Sequence, residues 1–294
     1  MLDGLIIKGI GGFYYVKSGK DLFECKPRGV FRKERIQPAA GDVVEISILD
    51  ELKKIGVIEK IHKRKNCLIR PQVANVDQVI LIFAAKHPEP DMLLLDKLLI
   101  RILSLNIIPV ICVNKIDLAS DDKSLEQFET YRNEGFTLIE ISASNDIGVE
   151  NLKKTLSSGL SILAGPSGVG KSTLVSKLHP VGEIEIGSLS DKIERGKHTT
   201  RHVELFKISD EGYLADTPGF SSFNIDEIAS QDLKNFYPKF VELKSECRFL
   251  GCNHMSEPDC AIKEAVESGE IDGGRYERYR QIFEYLKTNE RNKY

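Results

Sequence analysis

Gly165-Pro166-Ser167-Gly168-Val169-Gly170-Lys171-Ser172 fits the pattern G-x-x-x-x-G-K-[ST] and decides the fold class of this 294-residue chain. Glycines let such a loop curl until its backbone N–H groups point at phosphate oxygens. Lys171 can neutralise charge on β- and γ-phosphates, and the Ser172 hydroxyl can ligate Mg²⁺. The apolar strand Ser161–Ala164 runs straight into the loop, and a helix opening near Gly170 adds the positive end of its dipole. An ordinary Gly-rich turn is excluded by that context. Residues Gly165 to Ser172, with Thr173 next to them, are therefore candidate contacts to a nucleoside triphosphate.

Upstream of the loop, strand and helix alternate from about residue 70. Val76–Ala84 is an apolar run without interruption, as a strand buried on both faces should be. Asp91 caps a helix bearing Leu94, Leu95, Leu98, Leu99 and Ile102 at helical spacing. Ile107–Val113 and Thr137–Ile141 are further strands with a helix between them, and Val203–Ile208 and Tyr213–Ala215 follow the loop. Repeated units of this kind predict a parallel sheet with helices on both faces.

Asn114-Lys115-Ile116-Asp117 follows the strand Ile107–Val113. A carboxylate at Asp117 can accept from guanine N1–H and the exocyclic amine together, whereas adenine has no such donor pair. Asn114 can bridge to N7 and a neighbouring loop, and the Lys115 stem can lie along the ring. Ser142-Ala143-Ser144, at the end of the next strand, offers a backbone N–H to guanine O6, which makes Ser142 and Ala143 candidate contacts. Two guanine motifs on successive strands beside a phosphate loop point to GTP.

Asp216-Thr217-Pro218-Gly219 places Asp216 to hold Mg²⁺ through water and the Gly219 N–H to meet the γ-phosphate. In the polar loop Arg195-Gly196-Lys197-His198-Thr199-Thr200-Arg201 one threonine should ligate Mg²⁺, with Thr200 favoured over Thr199. Phe220 stands where many GTPases carry a water-orienting Gln, so His198 is the candidate catalytic side chain; a switch-loop histidine without catalytic role is the alternative. The order is permuted. Guanine motifs precede the phosphate loop, so the segment after Gly219 leads directly into the C-terminal region, and movement on γ-phosphate loss would pass there first.

Among six cysteines, only Cys247, Cys252 and Cys260 cluster, and with His254 they form Cys-x4-Cys-x-His-x5-Cys. Four soft ligands suit a closed tetrahedral Zn²⁺ site, structural in kind. Buried free cysteines are the alternative, but the stretch is too polar to bury them easily.

The first 65 residues read as five short strands, Gly4–Ile10, Phe13–Val16, Asp21–Cys25, Asp42–Leu49 and Gly56–Ile61, which predict a small barrel of the OB kind. Residues 1–70 carry 15 Lys and Arg against 9 Asp and Glu, although the whole chain is at −3. Arg28, Arg32, Lys33 and Arg35, then Lys60, Lys63, Arg64 and Lys65, form two basic clusters, either an RNA-binding end or a solvated charged face. No run approaches the ~18 apolar residues of a membrane span, and the N-terminus does not read as a signal peptide, so a cytoplasmic protein is expected.

The permuted order, the Gly-Lys-His-Thr-Thr loop, Asp-Thr-Pro-Gly-Phe and the Cys/Cys/His/Cys spacing together resemble the RsgA (YjeQ/YloQ) family of bacterial GTPases that depend on the small ribosomal subunit. Arg201 departs from it, standing where the family often has a third Thr. The resemblance implies a factor that binds the small subunit late in its assembly, with GTPase activity stimulated by that particle and the basic clusters as ribosomal-RNA contacts. The expectation is an α/β chain in three parts: an OB-type barrel at 1–67, a circularly permuted P-loop GTPase at 68–222 and a helical zinc domain at 223–294. It would act as a monomer, away from membranes, with one structural Zn²⁺ and with Mg²⁺ carried by GTP. A GTP-gated RNA-binding protein with slow, incidental hydrolysis is the alternative. A P-loop kinase is disfavoured, since no Arg-rich lid follows the loop.

Overall fold

The computed structural model of the chain describes residues 1–33, 35–69, 71–119, 123–178, 203–216 and 224–292. Alternation in the first sixty positions puts Ile6, Val16, Phe23, Val44, Ile46 and Ile58 on one side of a curved sheet, all but fully buried. The strands are β1 (Leu2–Ile10), β2 (Phe13–Ser18), β3 (Asp21–Pro27), β4 (Val43–Asp50) and β5 (Ile55–Ile61). They pair in the order β1-β2-β3-β5-β4, and a β1–β4 pairing closes the barrel. A short helix, α1 (Gly29–Lys33), sits between β3 and β4 and was not foreseen, since five residues are too few to show a helical period.

A hairpin of β6 (Cys67–Ile69) and β7 (Gln72–Ala74) leads into the second layer. There the apolar run forms β8 (Gln78–Ala84), with both faces covered. Val79, Leu81 and Phe83 pack under α2 (Met92–Ser104) and α3 (Lys123–Asn133). Ile80 and Ile82 pack under α4 (Val149–Thr155) and α5 (Lys171–Leu178). Asp91 caps α2 by accepting from the Leu94 N–H at 2.9 Å.

β9 (Ile108–Asn114), β10 (Thr137–Glu140), β11 (Ser158–Ala164) and β13 (Glu211–Asp216) complete a parallel set in the order β10-β9-β8-β11-β13. The expectation of an all-parallel sheet fails at one strand. β12 (Glu204–Lys207) runs antiparallel to β13, because the three residues Ile208 to Asp210 between them permit a hairpin but no crossover. β12 also pairs with β1 at Lys8 and Glu204, whose side chains meet at 3.0 Å, so the barrel and the parallel set share one sheet.

The C-terminal region is helical: a 3₁₀ segment Ser230–Phe236, α6 (Pro238–Leu243), α7 (Ala261–Glu267) and α8 (Gly273–Arg291). Its core of Leu233, Tyr237, Phe240, Ile262, Tyr279 and Ile282 takes in Ile100 from the outer face of α2. That places this region beside the helix layer that covers β8 and β9.

Candidate nucleotide site and metal centre

The phosphate loop lies between the end of β11 and the start of α5, at the carboxyl ends of the parallel strands. Two glycines are required there by geometry. A Cβ on Gly165 (φ +142°) would stand 2.1 Å from the Ile82 carbonyl, and one on Gly170 (φ +100°) would stand 2.4 Å from Asn114 Nδ2. Val169 is buried in the core below, while Ser167, Ser172 and Thr173 are exposed and Pro166 is partly so. The Lys171 ammonium donates to the carbonyls of Gly165 (2.7 Å) and Pro166 (2.6 Å), inside the curl of its own loop. Partial burial lowers its pKa from the ordinary lysine value.

Three loops meet at Asn114. This residue ends β9 and is 2% exposed. Its Nδ2 donates to the Val169 carbonyl at 2.8 Å, and its Oδ1 accepts from the Ala143 N–H at 3.0 Å. One amide therefore ties the phosphate loop to the loop after β10. Lys115, in the left-handed region (φ 62°), reaches back so that Nζ donates to the Gly168 carbonyl at 2.8 Å and to the carbonyl of His87. Asp117 lies in the single 3₁₀ turn Ile116–Leu118, exposed beside this junction. Ser142 is buried, pairs with Ile147 through both backbone groups, and its hydroxyl accepts from Asn145 N–H at 3.3 Å.

The structure brings together the residues named from the first three motifs. Asp216 closes β13 at the same sheet end, opposite Glu204 in the ladder. His198, Thr199, Thr200 and Gly219 lie outside the described residues. Sequence reasoning did not find the His87 carbonyl as a partner of Lys115, since no side-chain motif reveals a backbone acceptor. Nor did it tell which N–H of Ser142-Ala143-Ser144 is free: the Ala143 N–H is committed to Asn114, whereas the Ser144 N–H has no hydrogen bond among the described residues.

In the C-terminal region, ligand atoms of Cys247, Cys252, His254 and Cys260 all lie within 4.8 Å of one another. His254 Nδ1 is 3.6 Å from Cys247 Sγ and 3.4 Å from Cys260 Sγ, and the two sulfurs are 4.0 Å apart. A tetrahedral ion with metal–sulfur bonds of about 2.3 Å needs donor separations of roughly 3.5–3.8 Å, so this set could hold one. Burial pushes the Cys252 thiol up to about 12 and the His254 imidazole down to about 4, so burial favours the uncharged forms of these two groups, and a bound cation would be what stabilises a thiolate at Cys252. The surroundings hold the ligand loop in place. Tyr276 and Tyr279 hydroxyls donate to the His254 and Asn253 carbonyls at 2.7 and 2.6 Å. The Glu257 carboxylate accepts from Asn253 and Met255 N–H at 2.8 Å each; burial alone would raise its pKa, and these backbone donors outweigh it, leaving it lowered.

The barrel carries a groove of about 710 Å³ lined by Tyr14, Lys26, Arg28, Phe31, Arg35 and Gln37 among others. Of the two basic clusters, the second is largely paired with carboxylates: Lys60 with Glu45 at 2.7 Å, Arg64 with the fully buried Asp42 at 2.7 Å, and Lys65 with Asp77. Arg28 pairs with Glu59 at 3.0 Å, while Lys26, Lys33, Arg35 and Lys63 have no carboxylate partner among the described residues.

A parallel sheet with a phosphate loop, guanine-type loops that precede it in the chain, and an OB-type barrel ahead of both define a circularly permuted P-loop GTPase. Residues 61–226 match the family model of the RsgA GTPase, and residues 3–58 match that of the RsgA N-terminal domain. The chain belongs to the RsgA family and is a GTP hydrolase. It is 51% identical to the small ribosomal subunit biogenesis GTPase RsgA of Ruminiclostridium cellulolyticum, over 97% of this chain and 93% of that protein. To the protein of the same name from Alkaliphilus metalliredigens it is 46% identical, over 99% and 100%. The crystal structure of YloQ, a circularly permuted GTPase, superposes with a TM-score of 0.82 at 36% identity, covering 98% of this chain and 96% of that one. YjeQ from Thermotoga maritima superposes at 0.80 and 35% identity, over 97% and 98%.

Proposed function

We propose that this GTPase works in the late maturation of the small ribosomal subunit, hydrolysing GTP to GDP and phosphate on that particle. The names of the relatives state the biogenesis role for them, and their near full-length coverage supports carrying it here. The observation that carries the nucleotide part is the brace at Asn114, which holds phosphate loop and guanine loops in one rigid frame. The alternative of a GTP-gated RNA-binding protein with incidental hydrolysis is not favoured, because the family is one of GTPases.

In this reading Asp117 accepts from guanine N1–H and its exocyclic amine, and Lys115 lines the ring. The loop at Ser142 and Ala143 presents the Ser144 N–H to O6. Gly165 to Thr173 cradle the phosphates, where Lys171 would exchange its two carbonyl partners for phosphate oxygens. Mg²⁺ would neutralise phosphate charge, held by Ser172, whose exposed hydroxyl has no partner among the described residues, and by Thr200, with Asp216 behind through water and the Gly219 N–H at the γ-phosphate. His198 orients the hydrolytic water. Zinc occupies the Cys247, Cys252, His254 and Cys260 cluster as a structural ion.

The chain divides into barrel (1–67), GTPase (68–222) and zinc region (223–294). It acts as a cytoplasmic monomer that meets ribosomal RNA through the groove bearing Lys26 and Arg35. Among the described residues no helix is long and apolar enough to cross a membrane. GTP turnover measured alone and with purified small subunits tests the proposal: stimulation by the particle is expected, and an unchanged rate together with no binding would sink it.

A further inference from the structure

The metal-ligand loop ends in an apolar tip. Between Cys247 and Cys252 stand Arg248, Phe249, Leu250 and Gly251, and Leu250 is fully exposed while Phe249 is 44% exposed. The tip is held, not loose. Cys252 N–H donates to the Phe249 carbonyl at 3.0 Å, Arg248 N–H donates to the Asp259 carbonyl at 3.2 Å, and both flanking cysteines belong to the ligand cluster. A leucine displayed on a rigid knuckle gains nothing for the free fold and is available to a partner without an ordering cost.

Charge decides which partner. Residues 238–272, which carry the cluster, hold four Lys and Arg against eight Asp and Glu, a net of −4, in contrast to the +6 of residues 1–70. The one cation of the tip, Arg248, is paired with Asp259 at 2.7 Å and stacks its guanidinium 5.6 Å from the Phe249 ring. Glu246 is exposed on the flank. Lys244 is exposed on the same flank, but the region stays net negative, and with the tip's own cation neutralised it disfavours a phosphate backbone and complements the Lys- and Arg-rich surface of a protein that itself binds RNA.

We propose that the Phe249–Leu250 tip docks on a basic ribosomal protein of the small subunit rather than on its RNA. The inference rests on the small-subunit reading above and assigns the two arms of the molecule different partners: the basic barrel meets RNA, the acidic zinc region meets protein. Phe249 and Leu250 act as the anchor, and the acids around them set the choice of partner.

The test uses the full chain and a Phe249→Ser/Leu250→Ser variant, with zinc content and circular dichroism checked against wild type. Each is titrated against purified small subunits and against protein-free RNA extracted from the same particles. The expected result is at least tenfold weaker binding of the variant to subunits with unchanged binding to bare RNA, in line with loss of two anchor residues. A photo-crosslinking amino acid at Leu250 should attach to a ribosomal protein. Equal weakening on bare RNA, no weakening on subunits, or crosslinks to RNA alone overturns the docking surface. A wild-type chain that fails to bind subunits at all overturns the small-subunit reading and this inference together.

Discussion

Arg275 and Asp96 form an ion pair shielded from solvent, 2% and 0% exposed, across the contact between α8 and α2. Arg278 Nε reaches the other oxygen of the same carboxylate at 2.6 Å, and Tyr131 from α3 donates to it at 2.8 Å. Glu134 at the end of α3 lies 2.6 Å from Arg275 Nε. The Arg275 guanidinium stacks 4.3 Å from the Tyr131 ring and 4.9 Å from the Tyr237 ring. The C-terminal region is thus keyed to the two helices that cover β8 and β9.

Asp96→Ala leaves two arginines beside a cavity with no carboxylate between them. Breaking a buried pair from one side costs about 3–5 kcal/mol. Urea unfolding should show a loss in that range, with proteolysis opening the C-terminal region first. Replacing Asp96 and Arg275 together by Leu and Met removes the central pair but still leaves Arg278 and Glu134 without their partners, so it should recover only part of that loss. If Asp96→Ala loses under about 1 kcal/mol, the value of an exposed pair, water reaches the network and the key is not a key.

Asp117→Asn should move preference from GTP toward xanthosine triphosphate, because an amide complements a carbonyl at purine C2. The exposed position of Asp117 beside Lys115 leaves room for a base. Competitive titration of the two nucleotides reads the effect. Unchanged selectivity would remove the guanine role from this residue.

Elemental analysis of protein prepared without chelator should give one zinc per chain. Cys260→Ser should lose the metal and loosen the region around it, since the binding energy of such a site is folding energy. The hydroxyl bonds of Tyr276 and Tyr279 to the ligand loop would be the first lost, visible as faster amide exchange at residues 252–256. Protein free of metal and still folded there would return the cluster to buried thiols.

On the barrel, two sets of basic residues should behave differently. Lys26→Ala with Arg35→Ala should weaken RNA binding and flatten its salt dependence by about one unit of slope per lost phosphate contact. Arg64→Ala should instead destabilise the barrel, because Asp42 is fully buried and would lose its guanidinium. The expected split is affinity without stability for the first pair, and stability foremost for Arg64. Equal salt slopes for the double variant and wild type would make the groove residues a solvated face.

How much of this was legible in sequence follows from the range of each interaction. The phosphate loop, Asn114–Asp117 and the cysteine–histidine cluster are local patterns, and the barrel strands follow from alternation. Charge is different. Lys60, Arg64 and Lys65 read as a basic cluster because their partners Glu45, Asp42 and Asp77 lie elsewhere in the chain. Arg275 and Asp96 are 179 positions apart, and nothing local to either tells of the other. Which N–H of Ser142-Ala143-Ser144 stays free turns on a single hydrogen bond formed across the fold, from the Ala143 N–H to Asn114.

Asn114 gives the sharpest test of the site, because its amide has two separable halves. Asn114→Ala strands the Val169 carbonyl and the Ala143 N–H in a buried junction, and each unpaired group costs about 1–3 kcal/mol. Nucleotide affinity and stability should fall together. Asn114→Asp keeps an acceptor for Ala143 but turns the donor facing Val169 into an oxygen opposite a carbonyl, so it should do nearly as much harm at neutral pH. Gly170→Ala attacks the same bond from the other side, since its Cβ would stand 2.4 Å from Asn114 Nδ2. The Gly170→Ala and Asn114→Ala losses in GTP affinity should therefore be strongly non-additive in a double-mutant cycle. Additive losses would mean that the phosphate loop does not depend on Asn114 for its shape.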